Sequence, residues 1–301
     1  MFSILSSQKS FSDPWVGHAG LNRSFDLHVR RMRLARRVAA VRRGLVSPMV
    51  DASIRERIAR DGLAIVPDFL PADVFAALRD EIEAHVARFD ASEPPRGATR
   101  RGFGKPRHFE GGFDRHDGAT LNRFLNIDAA TTPRTLEFAR HPRLAALSRA
   151  VCGRSTSEHK TSIYLLMHGS EDNHDIQKDL HRDTFFSSMK YWYFIRPVRS
   201  EDGPFEYHPG SHRLDERRLE WERAKAAAAV AAGGGGGAFR ADEADLSALG
   251  FTEPLRATCA ENTLVIADTL GFHRRGVAAA GSVRLSVYGY ERPHAFLPMP
   301  S

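Results

Sequence analysis

Apolar residues along this chain of 301 residues change their texture near the middle. In the first half they recur at three- and four-residue steps, the period of a helix that buries one face. Leu27, Leu34, Val38, Val41 and Leu45 set one apolar face on a helix over residues 24–45. Ser53 with Glu56 reads as a capping box opening a short helix that stops near Asp61-Gly62. The run Leu63-Ala64-Ile65-Val66 reads as a buried strand, and a longer helix follows Pro71, with Val74, Leu78, Ile82, Val86 and Phe89 on its inner face. Residues 91–120, rich in Gly, Pro, Arg and Asp, read as a loop, and residues 133–150 return to helix on Leu136, Phe138, Leu144 and Leu147.

Beyond residue 158 the runs shorten and turn residues separate them. Strands are expected over 162–167, 177–184, 189–198, 205–208, 263–267 and 283–290. An alanine-rich helix over 215–232 and five consecutive glycines, Gly233 to Gly237, interrupt this series. The glycines cannot hold a fixed shape unaided. The interruption over 215–250 is an insertion, read either as a lid over a site or as a surface loop. The fold class that follows is α+β and mainly β: a double-stranded β-helix (jelly roll) core with N-terminal helices packed on one sheet. Residues 1–50 form an extension carrying the arginine-rich helix, and 51–301 form the jelly-roll domain.

Composition changes this picture only in the extension. Residues 23–43 hold eight arginines against the single acid Asp26, so the net charge of +6 is concentrated there and the rest is close to neutral. The main domain is not basic, so a nucleic-acid-binding reading of the whole protein loses its main support. The arginine-rich helix is either packed on the domain with its charges in water, laid on an anionic membrane or charged substrate, or, as a third reading, bound to nucleic acid by itself. No apolar run reaches bilayer-spanning length, the opening MFSIL is too short for a secretory signal, and Cys152 and Cys259 form no disulfide framework. A reduced, cytoplasmic setting is expected, with peripheral attachment at the inner membrane face as the alternative.

The candidate chemistry lies in the strand-rich half. His181 and Asp183 stand two residues apart, and on a strand such side chains share one face with α-carbons about 6.5–7 Å apart. An imidazole and a carboxylate can converge there on one metal. His273 follows the apolar strand 264–267, and a hairpin with a turn around 278–281 can bring Arg284 to its side of the sheet. Two neutral imidazoles and one carboxylate occupy one face of an octahedral iron and leave three positions open. Structural zinc would want a closed tetrahedron, commonly with cysteine, and the two cysteines have no such spacing. Arg182, between the ligands, should point to the opposite face. His208 and His212, in the Pro-Gly-Ser-His block, and His168 and His174 before the metal strand are read as non-ligands.

The order His-x-Asp, distal His, then Arg eleven residues on, resembles the phytanoyl-CoA dioxygenase family. Residues 61–70 (DGLAIVPDFL) are similar to its opening strand and first long helix, and 201–212 (EDGPFEYHPGSH) to its glycine-rich block ending in PGSH. The resemblance spans roughly residues 53–293. It implies an Fe(II) dioxygenase that uses 2-oxoglutarate and O2. His181, Asp183 and His273 match the catalytic iron ligands, and Arg284 the arginine that forks the distal carboxylate of 2-oxoglutarate. Trp192 and Tyr164 match co-substrate positions, and Ser286, two residues past Arg284, can share the carboxylate. Arg275 stands where many members carry a serine, and it can serve the co-substrate or face an acidic substrate. Retention of Asp183 implies hydroxylation, since halogenating relatives replace this carboxylate. The expected partner is a small-molecule or lipid-linked acidic substrate. The competing reading is a cupin-like metal-binding jelly roll that needs no 2-oxoglutarate.

Overall fold

The computed structural model describes residues 2–45, 50–89, 104–169 and 175–298. The first helices are α1 (Ala19–Phe25) and α2 (Leu27–Leu45). One periodic segment is split at Asp26, whose backbone is left-handed (φ 50°), a conformation aspartate tolerates better than most residues. The buried side of α2 is not the one its large apolar residues mark. Leu34 and Val41 are 42% and 51% exposed, whereas Val29, Met32, Ala35 and Ala39 are buried together with His28, Arg31 and Arg42. Small alanines let the helix approach Phe185 and Phe186 closely, and the arginines spend their donors on backbone carbonyls. Arg31 donates to Ile4, Ser6 and Gln8, and Arg42 to His294 and Leu297. The extension is thereby fastened to both chain ends.

Helix α3 (Ala52–Asp61) is capped by Asp51 rather than Ser53, because the Asp51 carboxylate accepts from the Ser53 N–H and hydroxyl. It stops at Gly62 (φ 84°), as expected, and leads into β1 (Leu63–Val66). Helix α4 (Ala72–Ala87) buries Phe75, Leu78, Ile82 and Val86, while Val74 lies outside at 45% exposure. Phe75 fills the position next to it against Tyr193. Residues 91–103 and His174 lie outside the described residues. The rest of the expected loop contains strands, β2 (Arg107–Phe109) and β3 (Gly112–Asp117), which form a meander with β4 (Thr120–Leu125). Their polar sequence carried no alternation because internal ion pairs such as Arg123–Asp114, both buried, replace apolar contacts. The expected helix over 133–150 is two, α5 (Pro133–Ala139) and α6 (Pro142–Cys152). Pro142 excludes helical backbone at His141.

The strand-rich half contributes β5 (Thr161–His168), β6 (His181–Arg182), β7 (Met189–Phe194) and β8 (Phe205–Tyr207). Helix α7 (Glu216–Ala231), β9 (Phe239–Arg240) and α8 (Glu243–Leu249) follow, then β10 (Leu255–Arg256), β11 (Thr263–Asp268), β12 (His273–Arg275) and β13 (Val283–Glu291). The strand expected over 177–184 is only β6, preceded by a 3-10 turn at Ile176–Lys178.

Two antiparallel sheets result. The large one runs β1-β11-β7-β13-β5-β4-β3-β2 and the small one β10-β8-β12-β6-β9. Helices α3 to α6 cover the outer face of the large sheet, burying a core that includes Leu78, Ile82, Leu147, Tyr193 and Ile266. Its inner face and the small sheet enclose the cavity described below. This is the sandwich with N-terminal helices on one sheet that the sequence pattern implied.

Segment 215–250 supplies β9 and closes the edge of the small sheet beside β6. Its glycine run is ordered by the N-terminal segment, since the Gly235 carbonyl accepts from the Phe11 N–H and the Ser10 hydroxyl. Gly237 has φ 71°, and a Cβ there would lie 1.9 Å from the Lys9 carbonyl oxygen. Only glycine lets the two segments approach so closely.

Candidate metal centre

His181 and His273 are direct cross-strand partners of β6 and β12. Paired residues of adjacent antiparallel strands project side by side, and the imidazole centroids lie 4.5 Å apart. Asp183 has left the strand by one residue, held by its N–H on the Thr269 carbonyl. Its Oδ1 still reaches 3.6 Å from Nε2 of His181 and 3.8 Å from Nε2 of His273. One ligand atom from each of the three buried residues falls within 4.8 Å of the others, the one such group found among the described residues. Two metal bonds of about 2.1 Å span up to about 4.2 Å, so the Asp183 oxygen and either imidazole nitrogen already lie within reach of one ion.

The surroundings fix both rings for ligation. Nδ1 of His181 pairs with the Asp179 carbonyl at 2.7 Å, and Nδ1 of His273 with the Gly271 carbonyl at 2.9 Å. A carbonyl only accepts, so each Nδ1 carries the proton and each Nε2 presents its lone pair to the centre. Nε2 of His273 is buried without a hydrogen-bond partner, a costly arrangement in the absence of another role. Burial pushes the His181 pKa down to about 3, aided by His273, and the His273 pKa down to about 4. Both rings are therefore neutral donors at pH 7. Burial opposes ionisation of Asp183, yet Lys190, His273 and His181 hold its carboxyl well below the usual range. The Lys190 ammonium lies 2.7 Å from Oδ2 of Asp183. The donor set, two neutral imidazoles and one carboxylate on one side, fits Fe(II) with open positions.

Residues remote from the centre hold β12 in place. The Ser211 hydroxyl accepts from the Phe272 N–H. A Cβ at Gly271 would lie 1.9 Å from Oη of Tyr207, so the residue two before His273 must be glycine. The Pro-Gly-Ser-His block thus supports a ligand strand, and neither His208 nor His212 joins the donor group. Arg182 does face away from the centre, and it is fully buried against Glu222 of α7.

The three donors open on a cavity of about 530 Å³ between the sheets. Tyr164, Trp192, Arg275 and Arg284 also line it. Trp192 packs on Phe205 with centroids 4.5 Å apart, and the Tyr164 hydroxyl donates to Asn122 at 2.6 Å. Arg284 is buried, its Nε without a partner, and burial pushes its pKa down to about 10. Arg275 is already engaged with Asp175 and Asn122. Ser286 is buried cross-strand from Tyr164 and Phe194 and is not part of the cavity wall. Sequence reasoning missed Lys9, Lys190 and Arg292, which also line the cavity. Lys190 carried a signal, since it shares a strand face with Trp192 two residues on.

A sequence profile described as phytanoyl-CoA dioxygenase (PhyH) matches residues 58–244. The chain belongs to the phytanoyl-CoA dioxygenase family. Comparison with curated proteins finds no match. Among solved structures, this family member is similar to the non-haem alpha-ketoglutarate-dependent epimerase SnoN from nogalamycin biosynthesis. Identity is 18%, with 79% of this chain and 81% of that chain covered and a TM-score of 0.49. It is similar to AviO1 from Streptomyces viridochromogenes Tue57 at 19% identity, covering 82% of this chain and 97% of that one, with a TM-score of 0.47. HygX from Streptomyces hygroscopicus, solved with nickel and 2-oxoglutarate, gives 16% identity, coverage of 80% and 87%, and a TM-score of 0.43. The matched span contains His181 and Asp183, while His273 and Arg284 lie beyond it.

Proposed function

We propose that this chain is an Fe(II)- and 2-oxoglutarate-dependent oxygenase that hydroxylates a C–H bond of a small acidic molecule. The carrying observation is the convergence of three buried donors, one of them an imidazole nitrogen without a partner, on a cavity that also holds a buried arginine. His181, Asp183 and His273 would hold the metal. Arg284 would fork the distal carboxylate of 2-oxoglutarate, with Tyr164 and Trp192 as walls. Iron with 2-oxoglutarate and O2 supplies, when bound, the oxidant for an unactivated C–H bond. The protein's share is orientation and exclusion of water: Phe205 and Trp192 cover one flank, and segment 232–240 with Lys9 covers another.

The reading is tested by anaerobic addition of Fe(II) and 2-oxoglutarate to metal-free protein. A weak visible charge-transfer band is expected only when both are present. His181→Ala and Asp183→Ala should each lose the band and the formation of succinate while circular dichroism stays native. A band formed by iron without 2-oxoglutarate, or unchanged in Arg284→Gln, would favour the cupin-like metal protein instead.

A further inference from the structure

The cavity has two cationic ends, and the proposed co-substrate occupies only one. Strand β13 carries Arg284 near its start, Tyr288 in its middle and Arg292 just beyond its end, all lining the cavity. At the rise of a strand, Arg284 and Arg292 are on the order of 25 Å apart at their α-carbons. On the neighbouring strand Trp192 pairs with Tyr288, and Lys190 pairs with Tyr290. Lys190 therefore belongs to the Arg292 end, and Trp192 lies between the ends.

At this second end three cations gather around Asp183, two at its carboxylate and one at its main-chain carbonyl. Nζ of Lys190 is 2.7 Å from Oδ2 of Asp183, and Arg292 is 3.8 Å from the same oxygen. Nζ of Lys9 donates to the Asp183 main-chain carbonyl at 2.7 Å. Lys9 is half-buried. Asp183 carries one negative charge and cannot neutralise all three, the less so where it would also hold a metal. Lys190, 15% exposed, and Lys9 are the inner members and Arg292, 46% exposed, is the solvent-side one; like charges gathered at half-buried positions favour an anion that joins them. Lys9 comes from the extension before the matched span, and Arg292, like His273 and Arg284, from beyond its end.

We infer that Lys9, Lys190 and Arg292 form a subsite for an anionic group of the substrate, a phosphate or a carboxylate. All three touch Asp183, so the group sits beside the metal centre, on the side away from Arg284. This subsite rests on the oxygenase reading for its purpose, but its occupancy can be measured separately. The glycine run contributes by letting the Lys9 segment lie against it, so the insertion and the extension build the subsite together.

The test uses three probes that differ at one carbon: glucose 6-phosphate, glucuronate and glucose. Each is titrated anaerobically by calorimetry into full-length protein loaded with Fe(II) and 2-oxoglutarate. At least one of the two anions should bind tenfold or more tighter than glucose, and which one does tells phosphate from carboxylate. Arg292→Gln and Lys9→Gln should each remove most of that preference, with the affinity for 2-oxoglutarate within about threefold of the parent and an unchanged thermal midpoint. Arg284→Gln should show the converse, weak 2-oxoglutarate binding with the anion preference kept. Equal binding of all three probes, or a preference that survives both Arg292→Gln and Lys9→Gln, overturns the subsite while 2-oxoglutarate binding still stands. Failure of 2-oxoglutarate to bind the parent protein would instead overturn the oxygenase reading.

Discussion

At the scale of single residues, Arg284 and His168 make different demands on the protein. Arg284 has its Nε buried without a partner, and a charge-assisted hydrogen bond contributes about 1.5–3 kcal/mol. Arg284→Gln is therefore expected to weaken 2-oxoglutarate binding by about 10- to 100-fold, read by calorimetry on the Fe(II) protein, with metal affinity kept. His168 titrates instead of binding. Burial, then Arg284 and Arg275, push its pKa down to about 3. The unfolded chain takes up this proton near the ordinary histidine value of about 6.5, and the folded protein does not until about pH 3. The unfolded state thus binds more protons throughout that window, so stability rises with pH and is complete above the unfolded pKa. Falling pH removes up to about 1.4 kcal/mol per unit for this one group. Urea unfolding of metal-free protein at pH 7.5 and 5.0 should show this loss, and His168→Gln should reduce it by the share of one proton. Equal slopes for parent and variant would mean that His168 is protonated in the fold.

At the scale of elements, the ligand strand β6 depends on a buried ionic cluster behind it. Glu222 of α7 accepts from Arg182, Arg218 and His28, and all four side chains are buried. These join β6, α7 and α2 at one point. Removing one partner of such a cluster leaves charge stranded, at about 3–5 kcal/mol. Glu222→Ala should lower the unfolding free energy by that order and loosen metal binding, whereas Arg33→Ala, whose pair with Glu216 is solvent-exposed, should change either by less than about 1 kcal/mol. Similar small losses for both would show that the cluster relaxes. The same elements show how far the sequence could be read. His181, Asp183, His273 and Arg284 were legible through the order His-x-Asp, distal His, then Arg that resembles the family, and strand pairing brings His181 opposite His273, whereas Asp183 lies past the end of β6 and is placed by its N–H on Thr269. Glu222, Arg182 and His28 were not, because their meaning lies in contacts across 40 to 194 residues. The same holds for the buried face of α2, where alanines and arginine stems were chosen by the partner surface and Leu34 was left outside. Helix breaks at Asp26 and Pro142 follow local rules but hide inside continuous periodicity.

At the scale of the molecule, the arginine-rich extension decides between a part that reaches outward and a part of the fold. Its arginines bear on this first. Arg31, Arg36, Arg42 and Arg43 donate to the backbone of other segments, and Arg31 and Arg42 are buried, so these side chains are tied to the protein itself and fewer arginines are free to reach an anionic surface. No helix among the described residues is long and apolar enough to cross a membrane. The burial is the larger effect. Phe11, Val16, Val29 and Met32 are all buried, and each contributes about 1.5–3 kcal/mol by leaving water. Their sum is comparable to the whole net stability of a domain, about 5–15 kcal/mol. Deleting residues 1–49 would in addition uncover Phe185, Phe186 and Leu270 and strip His28 from Glu222. The shortened chain is therefore expected to aggregate or lose cooperative unfolding by calorimetry, even with Fe(II) and 2-oxoglutarate present. The full chain should stay in the supernatant when anionic vesicles are sedimented at about 150 mM salt, where exposed charges are screened beyond about 8 Å. A shortened chain that folds and binds 2-oxoglutarate normally, while the full chain pellets with the vesicles, would return the helix to the membrane. Otherwise Lys9 is where it is because the extension is a structural wall of the cavity, and the chemistry of the substrate is read partly by residues the catalytic fold does not itself supply.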